Sequence, residues 1–426
     1  RRSNRLETLD SWLESPRRMQ TMLTYAEALA ALDALPIESR TETLGAHLAL
    51  GRVLAEPVAM DRDQPSFDRA TMDGFAIVLD GARDVFDIVS TVLAGQAHAG
   101  ELAPRQAVRI MTGAPCPAGT TVVPVEKTEA DGDRVRVTDT SALVPAKNIA
   151  RRGEDARAGD QVLVAGTRLS PATVATAAMA GSAEIQVYSP PSLGIVTTGD
   201  EVGAAGPAGI HDSNGPLLQA FAAALGCPAE RHHAVDDADA LRGTLGRAAA
   251  KANVVITVGG VSMGTHDLVP GAALDLGFEP VFHKVAIQPG KPVFVARHPD
   301  GTIFLGLPGN PVSVLATAHL FGLPLIGRFL GGWRPTWLSL PVTCDHEHRG
   351  KRHLFLPGVL GDGGVTPIPW NGSGDLLAAG AGDGLIDLAA GRRSAAGDLV
   401  RFLPFLGHSI GDRGRIPMRG TSGEHC

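Results

Sequence analysis

The chain has 426 residues, 44% hydrophobic and 19% charged, which is enough apolar material for several packed cores and excludes bulk disorder. Asp and Glu number 45 against 38 Lys and Arg, a net charge of −7, and aromatics are only 4%, so nonspecific nucleic-acid binding and base-stacking platforms lose their physical basis. Cys116, Cys227, Cys344 and Cys426 lie far apart with no CxxC pair, which excludes zinc ribbons and dithiol redox motifs and suits a reducing compartment.

At roughly 100–200 residues per domain, the length predicts two to four domains. Residues 1–21 lack clear periodicity and read as a flexible extension without the apolar core of a signal peptide. From Met22 onward, Leu23, Ala26, Leu29, Ala30 and Leu32 recur at helical spacing until Pro36. Leu44, Leu48 and Leu50 predict a second short helix ending at Gly51. The pattern then turns to short strands at 87–93, 107–111, 121–126 and 134–138, with Asp131-Gly132-Asp133 as a hairpin turn. A helix is expected over 171–181, with Pro171 in its first turn.

Pro190-Pro191 marks a joint, after which strands and helices alternate. Strands are predicted at 193–197, 231–235, 253–258, 281–286, 293–296 and 303–307, and helices at 215–225, 238–251, 269–276 and 311–329. Alternation of this kind implies a mostly parallel sheet with helices on both faces, which binds ligands beyond the carboxyl ends of its strands. The apolar stretch 312–330 carries His319, Pro324 and Arg328 and does not read as a membrane span, so no membrane partner is expected and the chain reads as soluble and cytoplasmic. From Pro335, strands at 337–343, 352–357, 364–368, 385–388 and 398–403 predict a small β-barrel or sandwich. The polar tail from His408 reads as disordered.

Four constellations converge on the alternating region. A buried strand runs into Gly259-Gly260-Val261-Ser262-Met263-Gly264 and then Asp267, and glycines before a helix let backbone N–H groups approach an anion. Neither a Walker A loop nor GxGxxG is present, and a plain strand-to-helix turn is the competing reading. Pro289-Gly290-Lys291-Pro292 holds a lysine between two prolines, seven residues after Lys284, and the pair suits an oxyanion; solvated surface lysines are the alternative. Thr197-Thr198-Gly199-Asp200-Glu201, Asp236-Asp237 and Asp267 put carboxylates after three strands, hard ligands that suit Mg²⁺, although each alone is more simply a helix cap. Pro308-Gly309-Asn310-Pro311-Val312-Ser313 is a rigid turn at another strand end. Histidines 232–233 and 346–348 have no zinc spacing and read as solvated loop.

MDGFAI at 72–77, IMTGAP at 110–115, RRGEDARAGD at 151–160, TTGDEV at 197–202, VITVGGVSMG at 255–264, PGKP at 289–292 and LPGNPVS at 307–313 follow one another in this order. The chain resembles the MoeA family, the molybdopterin molybdenumtransferases, to which the E domain of gephyrin is also similar. The resemblance implies a multidomain α/β chain. Its centre is a MoaB/MogA-like domain at 191–329, with a β-rich domain at 63–143, a discontinuous elongated linker domain at 22–62 and 144–190, and a C-terminal β-barrel at 330–407. It implies insertion of molybdenum from molybdate into adenylylated molybdopterin, with Mg²⁺-dependent release of AMP. It also implies a homodimer with a composite site and transient contact with the molybdopterin adenylyltransferase and with molybdoenzymes.

The implied catalytic positions are Asp73, Thr112, Asp155, Glu201, Asp267, Lys284 and Lys291, and the implied metal ligands Glu201, Asp236, Asp237 and Asp267. The substrate would be held by Thr198, Gly199, Gly259, Gly260, Val261, Ser262, Gly264, Pro289, Gly290, Pro292, Pro308, Gly309, Asn310, Pro311 and Ser313. This chain departs from the family pattern at Thr265, at Leu356-Pro357 and at Ala378. The alternative that these departures keep open is a non-catalytic or diverged relative that binds the cofactor or scaffolds another protein.

Overall fold

The computed structural model describes residues 22–81, 83–261 and 268–407. The extension 1–21, the tail 408–426, Ser262, Gly264, Thr265 and Asp267 lie outside the described residues. The chain divides into two compact units, one of residues 43–50 and 56–186 and another of 1–42, 51–55 and 187–426.

Helix α1, Tyr25–Asp33, belongs to the larger unit and is closed by a capping box between Thr24 and Glu27. The region 41–51 is not helical: Thr41–Gly45 is a strand followed by a 3₁₀ turn at Ala46–Leu48. Leu48 and Leu50 are exposed, so the spacing of the leucines marks no buried helical stripe.

The smaller unit is built on a six-stranded mixed sheet of β1 Gly74–Val78, β2 Val85–Val92, β3 Gln106–Ile110, β4 Thr120–Pro124, β5 Thr128–Asp131 and β6 Arg134–Val137, in the order β4-β1-β3-β2-β6-β5. Asp131 pairs with Arg134, so the hairpin turns on Gly132 and Asp133. Alternate residues face opposite cores: Ala76, Val108 and Val122 on one side, Phe75, Ile77 and Val123 on the other. Helix α2, Pro171–Met179, is capped by Ser170.

In the larger unit, β7 Leu193–Thr198, α3 Asn214–Ala224, β8 Ala229–Ala234, α4 Ala238–Ala249, β9 Val254–Val258, α5 Leu268–Asp275, β10 Glu279–His283, β11 Phe294–Arg297 and β12 Ile303–Leu307 give a sheet of order β8-β7-β9-β12-β11-β10. The first four strands are parallel; beyond them β11 runs antiparallel to β12, and β10 at the far edge runs antiparallel to β11. The departure from a wholly parallel sheet lies in the 298–302 turn, where Asp300 accepts from the Thr302 N–H at 2.9 Å and sends the chain straight back as a hairpin. Ile195, Ile256 and Leu305 face one core while Val196, Val255 and Phe304 face the other, which is why the strands read as unbroken apolar runs.

Residues 311–329 form one apolar helical stretch, almost wholly buried inside the protein, as expected of a core helix. It is not uniform. Helix α6, Pro311–Thr317, passes into a π turn at Ala318–Gly322 before α7, Leu323–Phe329. Pro324 has no N–H to offer Leu320, so the ladder widens there. Strands β13 Leu338–Pro341, β14 His353–Gly361, β15 Gly364–Pro367, β16 Gly384–Leu388 and β17 Leu399–Pro404 complete the unit. Phe355, Leu385 and Leu403 from these strands join the core of the α/β sheet, and Leu356, Ile386 and Phe402 face a separate core.

His319 sits wholly inside this core. Its Nε2 accepts the Leu406 N–H at 2.9 Å, so its Nδ1 carries the proton and donates to Leu315 O at 2.8 Å. Burial pushes its pKa down to about 4, against 6.5 in the unfolded chain. Between those values the unfolded chain binds the proton and the folded one does not. Stability is therefore fully present above pH 6.5 and falls as the pH drops toward 4, with a slope approaching about 1.4 kcal/mol per pH unit from this group. Urea unfolding from pH 7 to 5 should show a steeper loss for the wild type than for His319→Gln. Parallel curves would mean that His319 titrates normally in the folded protein.

Candidate functional site

Because β7, β8, β9 and β12 are parallel, their carboxyl ends emerge on one edge of the sheet. Three of these ends touch. Thr198 Oγ1, at the end of β7, donates to Val258 O at 3.2 Å, and the Gly259 N–H donates to Leu307 O at 3.1 Å. Gly259 has φ +91, and a Cβ there would stand 2.8 Å from Thr198 Oγ1, so glycine is required both by conformation and by space. A Cβ on Gly309 would lie 3.7 Å from Gly259 Cα, which places the 308–311 turn against the glycine loop. Since the Gly259 N–H is taken up by Leu307, any backbone donor for an anion comes from Gly260 onward.

Three side chains that the motifs did not single out hold this edge together. Asn214, opening α3, donates from Nδ2 to Gly309 O at 2.8 Å, and its buried Oδ1 has no hydrogen-bond partner. Ser373 accepts from Asn310 Nδ2 at 2.8 Å, and its carbonyl accepts the Val312 N–H at 3.0 Å. His283 Nε2 donates to Val261 O at 2.9 Å and so ties the end of β10 to the glycine loop. Pro311 opens α6 and Ser313 is buried on it. Of the departures from the family pattern, Leu356 packs in the core of the C-terminal sheet, Pro357 O accepts the Ile368 N–H, and Ala378 lies on the short helix capped by Asp375.

Lys284 directly follows His283 and has φ +71, a left-handed conformation uncommon for a residue with a side chain. Its N–H donates to Val293 O at 2.9 Å and its carbonyl accepts from Leu23 N at 3.2 Å, so the backbone is held from both sides. The loop it opens returns through buried Pro289 and Gly290 to exposed Lys291 and half-buried Pro292, and the Val285 N–H donates to Lys291 O at 2.9 Å. Among the described residues neither lysine has a carboxylate within 4.0 Å, which leaves both cations available to an anion.

The carboxylates divide. Asp200 and Asp236 bind each other's backbone: the Asp236 N–H donates to Asp200 Oδ1 at 3.0 Å and the Asp200 N–H to Asp236 Oδ2 at 3.4 Å. Asp237 caps α4 by accepting from Asp239 and Ala240, the plainer of its two sequence readings. The Glu201 carboxylate lies over Gly199, where an added Cβ would meet Oε2 at 2.7 Å. These oxygens have the right hardness for Mg²⁺, but the described residues contain no group of three that closes a metal cage.

In the smaller unit, Asp73 and Thr112 are brought together across β1 and β3. Asp73 Oδ1 accepts from the Thr112 N–H at 2.7 Å and from Thr112 Oγ1 at 2.8 Å. A Cβ on Gly74 would stand 2.0 Å from Val123 O, so only glycine can follow Asp73 here. Asp155 is exposed in the same unit, its N–H bonded to Gln64 O at 3.0 Å. The histidines at 232–233 are in β8 rather than a loop, with His233 Nδ1 3.1 Å from Thr197 Oγ1. His346 is likewise in a strand, and His348 is buried with its Nε2 2.6 Å from Arg352 O.

Residues 23–181 match the family described as "MoeA N-terminal region (domain I and II)", and residues 194–328 match "Probable molybdopterin binding domain". The molybdopterin molybdenumtransferase of Nostoc sp. is 34% identical over 344 residues, 76% of this chain and 78% of that protein. The one from Haemophilus influenzae is 34% identical over 351 residues, 79% of this chain and 86% of that protein. The crystal structure of the molybdopterin biosynthesis moeA protein from Pyrococcus horikoshii superposes with a TM-score of 0.77 at 26% identity, covering 90% of this chain and 100% of that one.

The two Thr112 donors hold the Asp73 carboxyl below the usual carboxylate range, with the backbone N–H the larger cause. Thr112→Val removes the hydroxyl and keeps the N–H. Carboxyl NMR titration should then find the Asp73 pKa raised toward the ordinary value without reaching it. An unmoved titration curve would show that the hydroxyl does not bind Asp73.

Proposed function

Since the chain belongs to the MoeA family of molybdopterin molybdenumtransferases, we propose that its sheet edge inserts molybdenum from molybdate into adenylylated molybdopterin with release of AMP. It is an enzyme of molybdenum cofactor biosynthesis. The observation that carries the mechanistic reading is the meeting of Thr198, Gly259 and Gly309 beside the His283–Lys284 step, which sets a close-approach backbone surface next to a lysine without a carboxylate partner.

In this reading the glycine loop and the 308–311 turn receive the phosphate-bearing part of the substrate. Lys284 and Lys291 concentrate molybdate, a dianion, in a protein whose net charge of −7 otherwise repels it. Asn214 and Ser373 fix the turn that lines the site. Glu201, Asp236 and Asp267 would hold Mg²⁺, which supplies charge neutralisation at the phosphoanhydride when bound. Asp237, occupied as a helix cap, is the weakest of the four candidate ligands.

The decisive experiment follows molybdenum incorporation and AMP release with purified protein, molybdate and adenylylated molybdopterin. Binding without turnover would instead identify a non-catalytic relative. Lys291→Ala should raise the molybdate requirement by roughly one to two orders of magnitude, as expected from losing a charge-assisted contact of about 1.5–3 kcal/mol. Lys284→Ala should do so less strongly, with adenylate binding little changed in both. A molybdate midpoint unmoved by Lys291→Ala would assign that lysine to the phosphates.

We further propose a homodimer in which Asp73, Thr112 and Asp155 of one subunit complete the site of the other. Mixing inactive Asp73→Ala and Glu201→Ala proteins should restore activity, because one site of each heterodimer would have both residues intact. No recovery despite demonstrated subunit exchange would overturn the composite site.

A further inference from the structure

The glycine loop and the lysine-bearing loop are joined by one side chain. His283 ends β10 and directly precedes Lys284, and its Nε2 donates to Val261 O at 2.9 Å, in the segment that leaves β9 through Gly259 and Gly260. A carbonyl oxygen can only accept, so Nε2 carries a proton whether the ring is neutral or charged, and the bond is available to both forms.

Both ends of this bond are seated. On the ring side, His283 pairs with Phe294 of β11 and stands edge-on to its ring, with centroids 5.5 Å apart and planes at 79°. On the loop side, Val261 is buried over Gly306 of β12, where an added Cβ would stand 2.8 Å from Val261 Cγ1 and 3.3 Å from Phe294 Cβ. Gly306 thus leaves a space that Val261 and Phe294 share, and His283 contacts both of them. Beyond His283, the Lys284 N–H is held by Val293 O at 2.9 Å and its carbonyl by the Leu23 N–H at 3.2 Å. With the lysine backbone fixed in this way, the imidazole sets where the chain after Gly260 lies relative to Lys284.

We propose that His283 is a positioning residue for the transfer reaction: through Val261 it fixes the spacing between the glycine loop and Lys284, and so between the adenylate and the molybdate that they hold. This rests on the reading of the two loops under the proposed function. Neither loop needs the imidazole to bind its own ligand, since the donors of one are backbone N–H groups and the charge of the other is its own. Reaction between two bound species does depend on their separation, and a misplacement of about 1 Å can cost on the order of 10²-fold in rate. His283 therefore acts on turnover rather than on affinity.

His283→Phe keeps a ring against Phe294 and removes the donor, whereas His283→Gln keeps an N–H donor at similar reach. Molybdenum incorporation by the purified full chain, followed while molybdate and adenylylated molybdopterin are varied in turn, separates kcat from the two substrate midpoints. His283→Phe should lower kcat by about tenfold or more while each midpoint moves by less than about twofold, the pattern of an interaction that matters only once both substrates are in place. His283→Gln should recover most of the lost kcat. An unchanged kcat in His283→Phe, a rise in either midpoint as large as the fall in kcat, or equal impairment of the Phe and Gln variants would each overturn the proposal. A wild-type protein that binds both substrates but incorporates no molybdenum would overturn the underlying reading, and this proposal with it, before any variant is compared. If His283→Phe does not fold, His283→Asn, one methylene shorter than glutamine, takes its place with the same expectations.

Discussion

Three strand ends can meet at Gly259 only because no side chain stands between them. Thr198 reaches across to β9, the Gly259 N–H reaches β12, and the turn after β12 comes to rest against the glycine. A Cβ would push Thr198 away and break the geometry from which the rest of the edge is built. His283 binds Val261 two residues on, and Lys284 inherits its position from His283. The location of Lys284 thus follows from the same close approach, through one imidazole.

Much of this was legible in the amino-acid sequence because the edge is made from residues that restrict or free the backbone. Glycines at 259 and 260 and prolines at 289, 292, 308 and 311 announce turns whatever surrounds them, and the double-sided core announces itself as apolar runs. What was not legible depends on tertiary adjacency. Asn214, His283 and Ser373 look like ordinary polar residues until the fold sets them beside a carbonyl or an amide. The strand at Thr41–Gly45 was hidden because leucines at 44 and 48 also fit a helical period. The antiparallel pair at the sheet edge was signalled by the Pro299-Asp300-Gly301 turn, a hairpin cue that the strand-helix alternation outweighed.

Charge is distributed against the composition. In a chain with net charge −7, Lys284 and Lys291 have no carboxylate within 4.0 Å among the described residues. Acidic residues at the sheet edge instead bind backbone: Asp200 and Asp236 each other's, Asp237 a helix start. Because these carboxylates are held at backbone N–H groups and form no ion pair with the lysines, local attraction for oxyanions survives in an acidic protein.

The larger unit is assembled from both flanks of the smaller one, and this has a consequence for synthesis on the ribosome. The sheet of the smaller unit is complete in the sequence by residue 137, and the unit itself by 186. The core of the larger unit still needs Phe355, Leu385 and Leu403, and His319 has no donor for its Nε2 until Leu406 has been made. During vectorial translation the smaller unit can therefore close early while the long apolar stretch 311–329 waits for the final strands to cover it. That interval, of some eighty residues, is when the nascent chain has most need of a holding chaperone.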